Sequence, residues 1–506
     1  MRVSRLVEVL RGAVIATREQ ALAVGRESER TLLLGTVLLG SALSAAAGFV
    51  LAQYYSVDVF TSLFMAAKDC WLDWGRQMGT HCFSDYGMTL GFGMRPNPWA
   101  PYPLRLPWNN YEAGGGAGYP PAGMLPQMLF GVLGKWLHAP RLGFWGYQLL
   151  LTGAVFTPAV WAARGARGLE RVVVFVALGA LAIPVWGVID RGNSVGFIAP
   201  VGLVFLVALR RQRWGLVAIM VVLAALLKPQ FVLLAVALFA ARQWRMGGIA
   251  AIGVVISNFV PYLLWPRDFP ETIAQSARSL LNYSSSVDTL VGPYNVSFAR
   301  GIFFIPDKLY DPQWGYVSNG FFDATRSLIG YVLLLLVVVS VLALGRRISP
   351  VMGGIALLTT ACLFPGLVFN YYLVFALPIA ALVVRDPDGR PESGIFDGFA
   401  TRGDRRRAIG ICVSLAAALS IVRIPLPGPP MMSPLAGQLG VVGIVGYTPI
   451  VHTTAELVPL LWLIACAVII ISYARRPAAG AQENVPATSS AVGEPIRAAV
   501  SPGDGK

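Results

Sequence analysis

Asp58 stands in the stretch Tyr54-Tyr55-Ser56-Val57-Asp58-Val59-Phe60, directly after the first long apolar run of a 506-residue chain. A carboxylate at the point where a membrane helix surfaces can serve as a general base. It takes the proton from a hydroxyl as that oxygen attacks an electrophilic carbon. One base suffices when the group leaving from the opposite face is a phosphate, which needs little protonation. The competing role for Asp58 is that of a helix cap. Asp69 and Asp73 follow at i, i+4 and read as a solvated helix face.

Cations that would complement a phosphate stand elsewhere in the chain. Lys228 interrupts two apolar runs in Leu226-Leu227-Lys228-Pro229-Gln230. A charge at that depth is costly and is a functional candidate by default; its structural alternative is a lysine that snorkels from a helix end. Arg191 lies in Asp190-Arg191-Gly192-Asn193 and carries the planar fork suited to phosphate, although Asp190 could neutralise it. Arg300 follows Asn282-Tyr283 and Asn295-Val296-Ser297-Phe298. Asn193, Asn295, Ser297, Tyr371 and Tyr372 offer hydrogen bonds and ring faces for a polyhydroxylated substrate. The alternative for the two tyrosines is an aromatic belt at the membrane interface.

Positioning these groups falls to membrane helices. The chain is 56% hydrophobic and only 13% charged, about half the charge of an ordinary soluble protein. Twelve apolar runs are predicted to span: Thr31 to Tyr54, then runs centred on 143–163, 171–188, 195–210, 214–227, 230–241, 247–265, 327–345, 350–364, 367–385, 407–422 and 455–474. Their length and lack of period-two alternation predict an all-α polytopic helix bundle and argue against a β-barrel. Arginines cluster between them at 164–171, 210–213, 242–245, 346–347, 405–407 and 475–476. With twelve spans every cluster falls on the cytoplasmic side, so the net charge of +14 reflects topology and implies no nucleic-acid partner.

This arrangement divides the chain into a cytoplasmic interfacial helix over 1–29, a membrane domain over 30–476 and a disordered cytoplasmic tail over 477–506. Two large outer loops are expected, 55–142 and 266–326. Residues 120–139 are apolar but broken by Pro120, Pro121 and Pro126. They are read as a re-entrant or interfacial outer helix; a full span is the competing reading. Cys362, Cys412 and Cys466 fall in apolar runs, whereas Cys70 and Cys82 share the first outer loop and could pair in an oxidising compartment. The sequence holds no zinc spacing, P-loop, dinucleotide fingerprint or Asp-x-Asp motif, so the expected chemistry uses neither metal nor cofactor.

The order of these motifs resembles the GT-C glycosyltransferases and, within them, glycosyltransferase family 87. The matching pieces are Asp58-Val59-Phe60 with Ala66-Ala67, Tyr119-Pro120-Pro121, Arg191-Gly192-Asn193, Lys228-Pro229-Gln230, Asn295-Val296-Ser297 and the turn from Pro365 to Tyr372. The resemblance implies a plasma-membrane enzyme with its active site on the outer, periplasmic face. Such an enzyme moves a sugar, with inversion, from a polyprenyl-phosphate donor such as polyprenyl-phosphate-mannose to a glycolipid or lipoglycan acceptor. It makes Asp58 the catalytic aspartate and puts Lys228 in a Lys-Pro motif; on their own charge and position, Lys228, Arg191 and Arg300 are the expected contacts of the donor phosphate. The chain departs from the family at Asn193 and Val296, where Gln is common, and near Tyr371, where a histidine is common. An arabinofuranosyl donor is therefore an alternative. So is a flippase or transporter for a lipid-linked sugar, although the internal repeats usual in transporters are not evident.

Overall fold

A computed structural model describes residues 27–64, 83–100, 116–283, 290–310, 320–401, 406–426, 428–436 and 444–475. The expectations placed on residues 1–26, Asp69, Asp73, the Cys70 and Cys82 pair and the tail beyond 476 lie outside the described residues.

Each of the twelve apolar runs is helical. Four helices are long and apolar enough to cross a bilayer: Glu29–Tyr55, Trp244–Leu264, Leu328–Arg347 and Thr454–Ala474. A fifth crossing results if Gly168–Ala180 and Ile183–Arg191, bent by 45°, count as one span. Pro140–Ala163 has 24 residues. Six other apolar helices have only 10–17 residues: Ser194–Arg210, Trp214–Leu227, Pro229–Ala240, Pro350–Leu363, Asn370–Val384 and Arg407–Ile421. Twelve helices are thus present where apolar runs were read, but half of them fall short of the roughly 20 residues a full crossing takes. Several begin with 3₁₀ turns, at Ser194–Phe197, Pro229–Ala235 and Asn370–Phe375. Irregular backbone of this kind survives at membrane depth only where protein covers it or a cavity receives it.

The proline-broken segment is a helix, Pro121–Trp136, folded back on Pro140–Ala163 as a tight antiparallel hairpin. Gly134 and Gly143 stand at the crossing, where a Cβ on Gly143 would run into the carbonyl of Phe130. Small residues let helix backbones approach where lipid supplies no hydrophobic drive. The start of this helix abuts the carbonyl of Leu227, which brings it to the neighbourhood of Lys228.

The arginine clusters gather at one end of the bundle. Arg210 forms a two-pronged pair with Asp386 (2.6 and 3.2 Å), Arg407 pairs with Glu29 at 3.0 Å, and Arg30 meets Glu170 and the carbonyl of Glu392. At the opposite end lies an element that sequence reading missed, an antiparallel hairpin of β1 (Met431–Ala436) and β2 (Ile444–Ile450). Its signal was present in the β-branched, glycine-punctuated stretch after Gly440, but the helical pattern on both sides obscured it. Among the described residues the structure is helical except for this β-hairpin and two isolated bridges, and the hairpin touches Asp58.

The helix Phe298–Tyr310 is anchored by a buried charge cluster. Arg300 reaches Asp307 at 2.8 Å and Glu456 at 2.9 Å, Arg326 also pairs with Asp307, and His452 bonds to Glu456. Asp307 and Glu456 are fully buried. Removing one member of such a cluster strands the others without compensation. Asp307→Ala is expected to cost about 3–5 kcal/mol, read as a lowered thermal unfolding midpoint of the detergent-solubilised protein. An unchanged midpoint would show that the cluster is not needed for stability.

Candidate active site

The helix Ile183–Arg191 ends in a left-handed glycine, Gly192, with φ 65° and ψ 32°. This residue turns the chain so that Arg191 and Asn193 face the same side. Asn193 then caps the 3₁₀ turn Ser194–Phe197, its side-chain oxygen accepting from the Val195 amide at 2.8 Å. Its nitrogen lies 2.7 Å from Asp85 Oδ2, 3.1 Å from the Tyr119 hydroxyl and 3.2 Å from the Tyr371 hydroxyl. Two amide hydrogens therefore serve three oxygens, and Asn193 is the hub that draws four chain segments together.

Arg191 is paired with Asp85 through both faces of its fork, Nη2 to Oδ1 at 3.2 Å and Nε to Oδ2 at 3.4 Å. Its guanidinium also lies over the rings of Tyr371 (5.6 Å) and Phe369 (5.8 Å). Asp85 was not singled out from the sequence. It belongs to the short helix Ser84–Gly93, 106 residues from its partner. The one available signal was that a buried arginine needs a carboxylate, a need that several loop aspartates could meet. Tyr86, beside Asp85, packs its Cβ against Gly192. Burial pushes the Tyr86 phenol up to about 12, so it stays neutral at physiological pH.

Lys228 stands between the helix Trp214–Leu227 and the turn Pro229–Ala235, in extended backbone. It is half-buried, and its ammonium lies 3.9 Å from the centre of the Tyr119 ring and 5.8 Å from that of Tyr372. Cation–π contact offsets part of the cost of holding a charge there. Among the described residues no carboxylate pairs with Lys228. Lys228, Arg191, Asn193, Tyr371 and Tyr372, read separately from the sequence, thus surround one site, with Tyr119 and Asp85 added by the structure.

Asp58 begins the six-residue helix Val59–Phe64. Its Oδ1 accepts from the Thr61 amide at 2.9 Å, and its Oδ2 accepts from the hydroxyls of Thr61 (2.5 Å) and Thr448 (3.3 Å). Its own amide donates to Pro449 of β2 at 2.8 Å. Asp58 is therefore a helix cap, and the hairpin holds it in place. A carboxylate has four lone-pair positions and three are filled here, so a half-buried Asp58 retains one on Oδ1. The far end of the same helix joins the site: the Asn370 side chain donates to the Phe64 carbonyl at 3.2 Å, and Gly187 packs between Phe64 and Tyr371.

The remaining predicted residues lie apart from these. Asn295 spends its whole hydrogen-bonding capacity on backbone, donating to Leu290 and Gly366 and accepting from Ser297 and Val368. It clamps the strand-like bridge to Phe369 and so holds the turn that carries Tyr371. Ser297 caps the helix after it, accepting from the Arg300 amide at 3.2 Å. Arg300 is consumed by the buried cluster with Asp307 and Glu456. Gly192→Ala would place a side chain in the left-handed region with its Cβ 3.0 Å from that of Tyr86. A loss of about 1–3 kcal/mol is expected, measurable as earlier thermal unfolding; an unaltered unfolding curve would contradict the role given to this turn.

The comparisons with known proteins bear on the same segment. No curated protein matches the chain. The model of glycosyltransferase family 87 matches residues 118–370, half of the 506 residues. Tyr119, Arg191, Asn193, Lys228 and Asn370 lie within the match, and Asp58 and Asp85 precede it. The chain belongs to glycosyltransferase family 87.

Proposed function

We propose that this glycosyltransferase moves mannose, with inversion, from a polyprenyl-phosphate donor to a glycolipid or lipoglycan acceptor on the outer face of the plasma membrane. The observation that carries the reading is Lys228. An ammonium held among aromatic rings, with no carboxylate partner among the described residues, calls for an anion, and the donor phosphate supplies one. Arg191, already paired with Asp85, is better suited to shaping the site than to binding a second anion.

The depth of Lys228 favours a lipid-linked donor. The helix Trp214–Leu227 has 14 residues, a rise of roughly 21 Å. The hydrocarbon core is about 30 Å thick. With the arginine-rich end of the bundle at the cytoplasmic surface, Lys228 lies below the opposite surface, within reach of a phosphate anchored among lipid tails. In that proposed orientation Asp58, the β-hairpin and the Asn193 hub belong to the outer side.

The chemistry follows from the carboxylates. Asp85 is buried and both its oxygens are held by Arg191 and Asn193, which leaves it a poor base. Asp58 keeps a free lone pair. It takes the acceptor hydroxyl's proton as that oxygen bonds to the anomeric carbon. The bond from that carbon to the phosphate oxygen breaks, and polyprenyl phosphate leaves with the electron pair.

The test is transfer of labelled mannose from polyprenyl-phosphate-mannose to membrane glycolipids. Asp58→Asn keeps the cap acceptor but removes the base. It is expected to lower turnover by roughly 10²–10⁴-fold with donor binding retained; near-normal turnover would remove Asp58 from the mechanism. Lys228→Ala is expected to raise the KM for donor roughly 10–100-fold, the worth of a hydrogen bond to a charged group. An unchanged KM would move the phosphate site elsewhere. Transfer of arabinose in place of mannose by the wild type would reassign the sugar.

A further inference from the structure

The helix Val59–Phe64 has six residues, far fewer than an isolated helix needs to hold its shape. The β-hairpin fixes its start, through Asp58 and through Ser62. The Ser62 hydroxyl donates to the Asp58 carbonyl at 2.6 Å and accepts from the Val451 amide at 3.1 Å. One flank of the helix faces an apolar groove of about 660 Å³, lined by Phe60, Leu63 and Phe64 and by residues of the first span. Phe60 is more than half exposed. Packing supports that flank little, so bonds at the far end must set the direction of the helix.

Two side chains supply such bonds. Asn370 donates to the Phe64 carbonyl at 3.2 Å. Arg423, fully buried, donates through Nη1 to the Leu63 carbonyl and through Nη2 to the Asn370 carbonyl, the latter at 2.7 Å. Carbonyls in the last turn of a helix lack partners within it, and a cation there also meets the negative end of the helix dipole. One planar fork thus joins the helix that starts beside Asp58 to the turn that carries Tyr371 and Tyr372.

Arg423 is itself tied to three membrane helices. It follows the helix Arg407–Ile421. Its carbonyl accepts from Ser44 of the first span at 2.7 Å, and the Ile424 amide donates to the Thr454 hydroxyl at 3.0 Å. Among the described residues no carboxylate pairs with Arg423, whereas the buried Arg191, Arg300 and Arg326 each have one. A buried charge without a counter-ion is costly, and this one is directed at two carbonyls on opposite sides of the site. The turn at Asn370 has a second clamp in Asn295, so loosening Arg423 would free the helix and leave the donor side in place.

We infer that Arg423 is a positioning residue for sugar transfer: by bonding Leu63 and Asn370 together it fixes how far the base Asp58 stands from the donor held at Lys228. The inference rests on the proposed roles of Asp58 and Lys228 and adds what sets the distance between them. Arg423 acts through the backbone of the short helix and needs no contact with substrate.

The test measures turnover and equilibrium binding of polyprenyl-phosphate-mannose by the full chain in detergent. Turnover is expressed per bound donor, so that unfolded protein does not count. Arg423→Met is expected to bind donor as the wild type does, with an unchanged KM, and to turn over about 10²-fold more slowly, the loss expected from a reacting group misplaced by about 1 Å. Arg423→Gln keeps an amide for one carbonyl and buries no charge; it should fall between the two and carries the test if Arg423→Met does not fold. Wild-type turnover per bound donor in the folded variants overturns the inference. So does a loss of donor affinity in step with turnover, which a merely structural role predicts. Asp58→Asn measured in parallel separates the two readings. Near-normal turnover there, or no donor binding by the wild type, sinks the function proposed above and this inference with it. A slow Asp58→Asn beside unimpaired Arg423 variants sinks the positioning role alone.

Discussion

A charge inside an apolar bundle is costly unless something neutralises it, and the architecture of this chain depends on how that cost is met. At the arginine-rich end Arg210 is closed by Asp386 and Arg407 by Glu29. In the opposite half, Arg300 and Arg326 are closed by Asp307 and Glu456. Arg210–Asp386, Arg407–Glu29 and Arg300–Glu456 join elements far apart in sequence, while Asp307 ties Arg300 of its own helix to Arg326 of the next. Among the described residues Lys228 and Arg423 pair with no carboxylate; Lys228 stands against the rings of Tyr119 and Tyr372, and Arg423 beside an apolar groove. Paired charge thus belongs to the scaffold, and the binding role proposed for this chain rests on charge left unpaired.

Broken helices carry the same logic into the backbone. The π turn before Leu181, the left-handed Gly192 and the 3₁₀ turns at Asn193, Lys228 and Asn370 interrupt what would otherwise be simple spans. Side chains at the breaks bond backbone: Trp186 to Ala180 and Asn193 to Val195 within their own breaks, and Gln230 to Ala361 and Asn370 to Phe64 at the ends of neighbouring helices. The breaks at Gly192, Lys228 and Asn370 converge, so that Arg191, Asn193, Lys228 and Tyr371 come together with Asp85 and Tyr119.

Asp58 shows how scaffold and chemistry share a residue. Its cap role and its proposed base role are compatible because a carboxylate has more acceptor positions than the cap consumes. The β-hairpin fixes its amide through Pro449 and its carboxylate through Thr448. A base fixed in this way loses little entropy when an acceptor arrives.

Much of this was legible in the chain itself. The helices, the arginine clusters and the place of Asp58, Arg191, Asn193 and Lys228 at the ends and breaks of apolar runs follow from apolar run length and from the rarity of polar groups within such runs, both local properties. Family membership follows from the order of short motifs. What the sequence could not convey was pairing at a distance. Asp85 is one aspartate among several in a long loop until Arg191 and Asn193 are brought against it. Asn295 and Arg300 read as ligand contacts until the fold spends them on Val368, Gly366, Asp307 and Glu456. Arg423 was not singled out in the sequence at all. Whether a polar side chain serves the fold or the substrate depends on which other groups consume its hydrogen bonds and charge, and only the tertiary structure decides that.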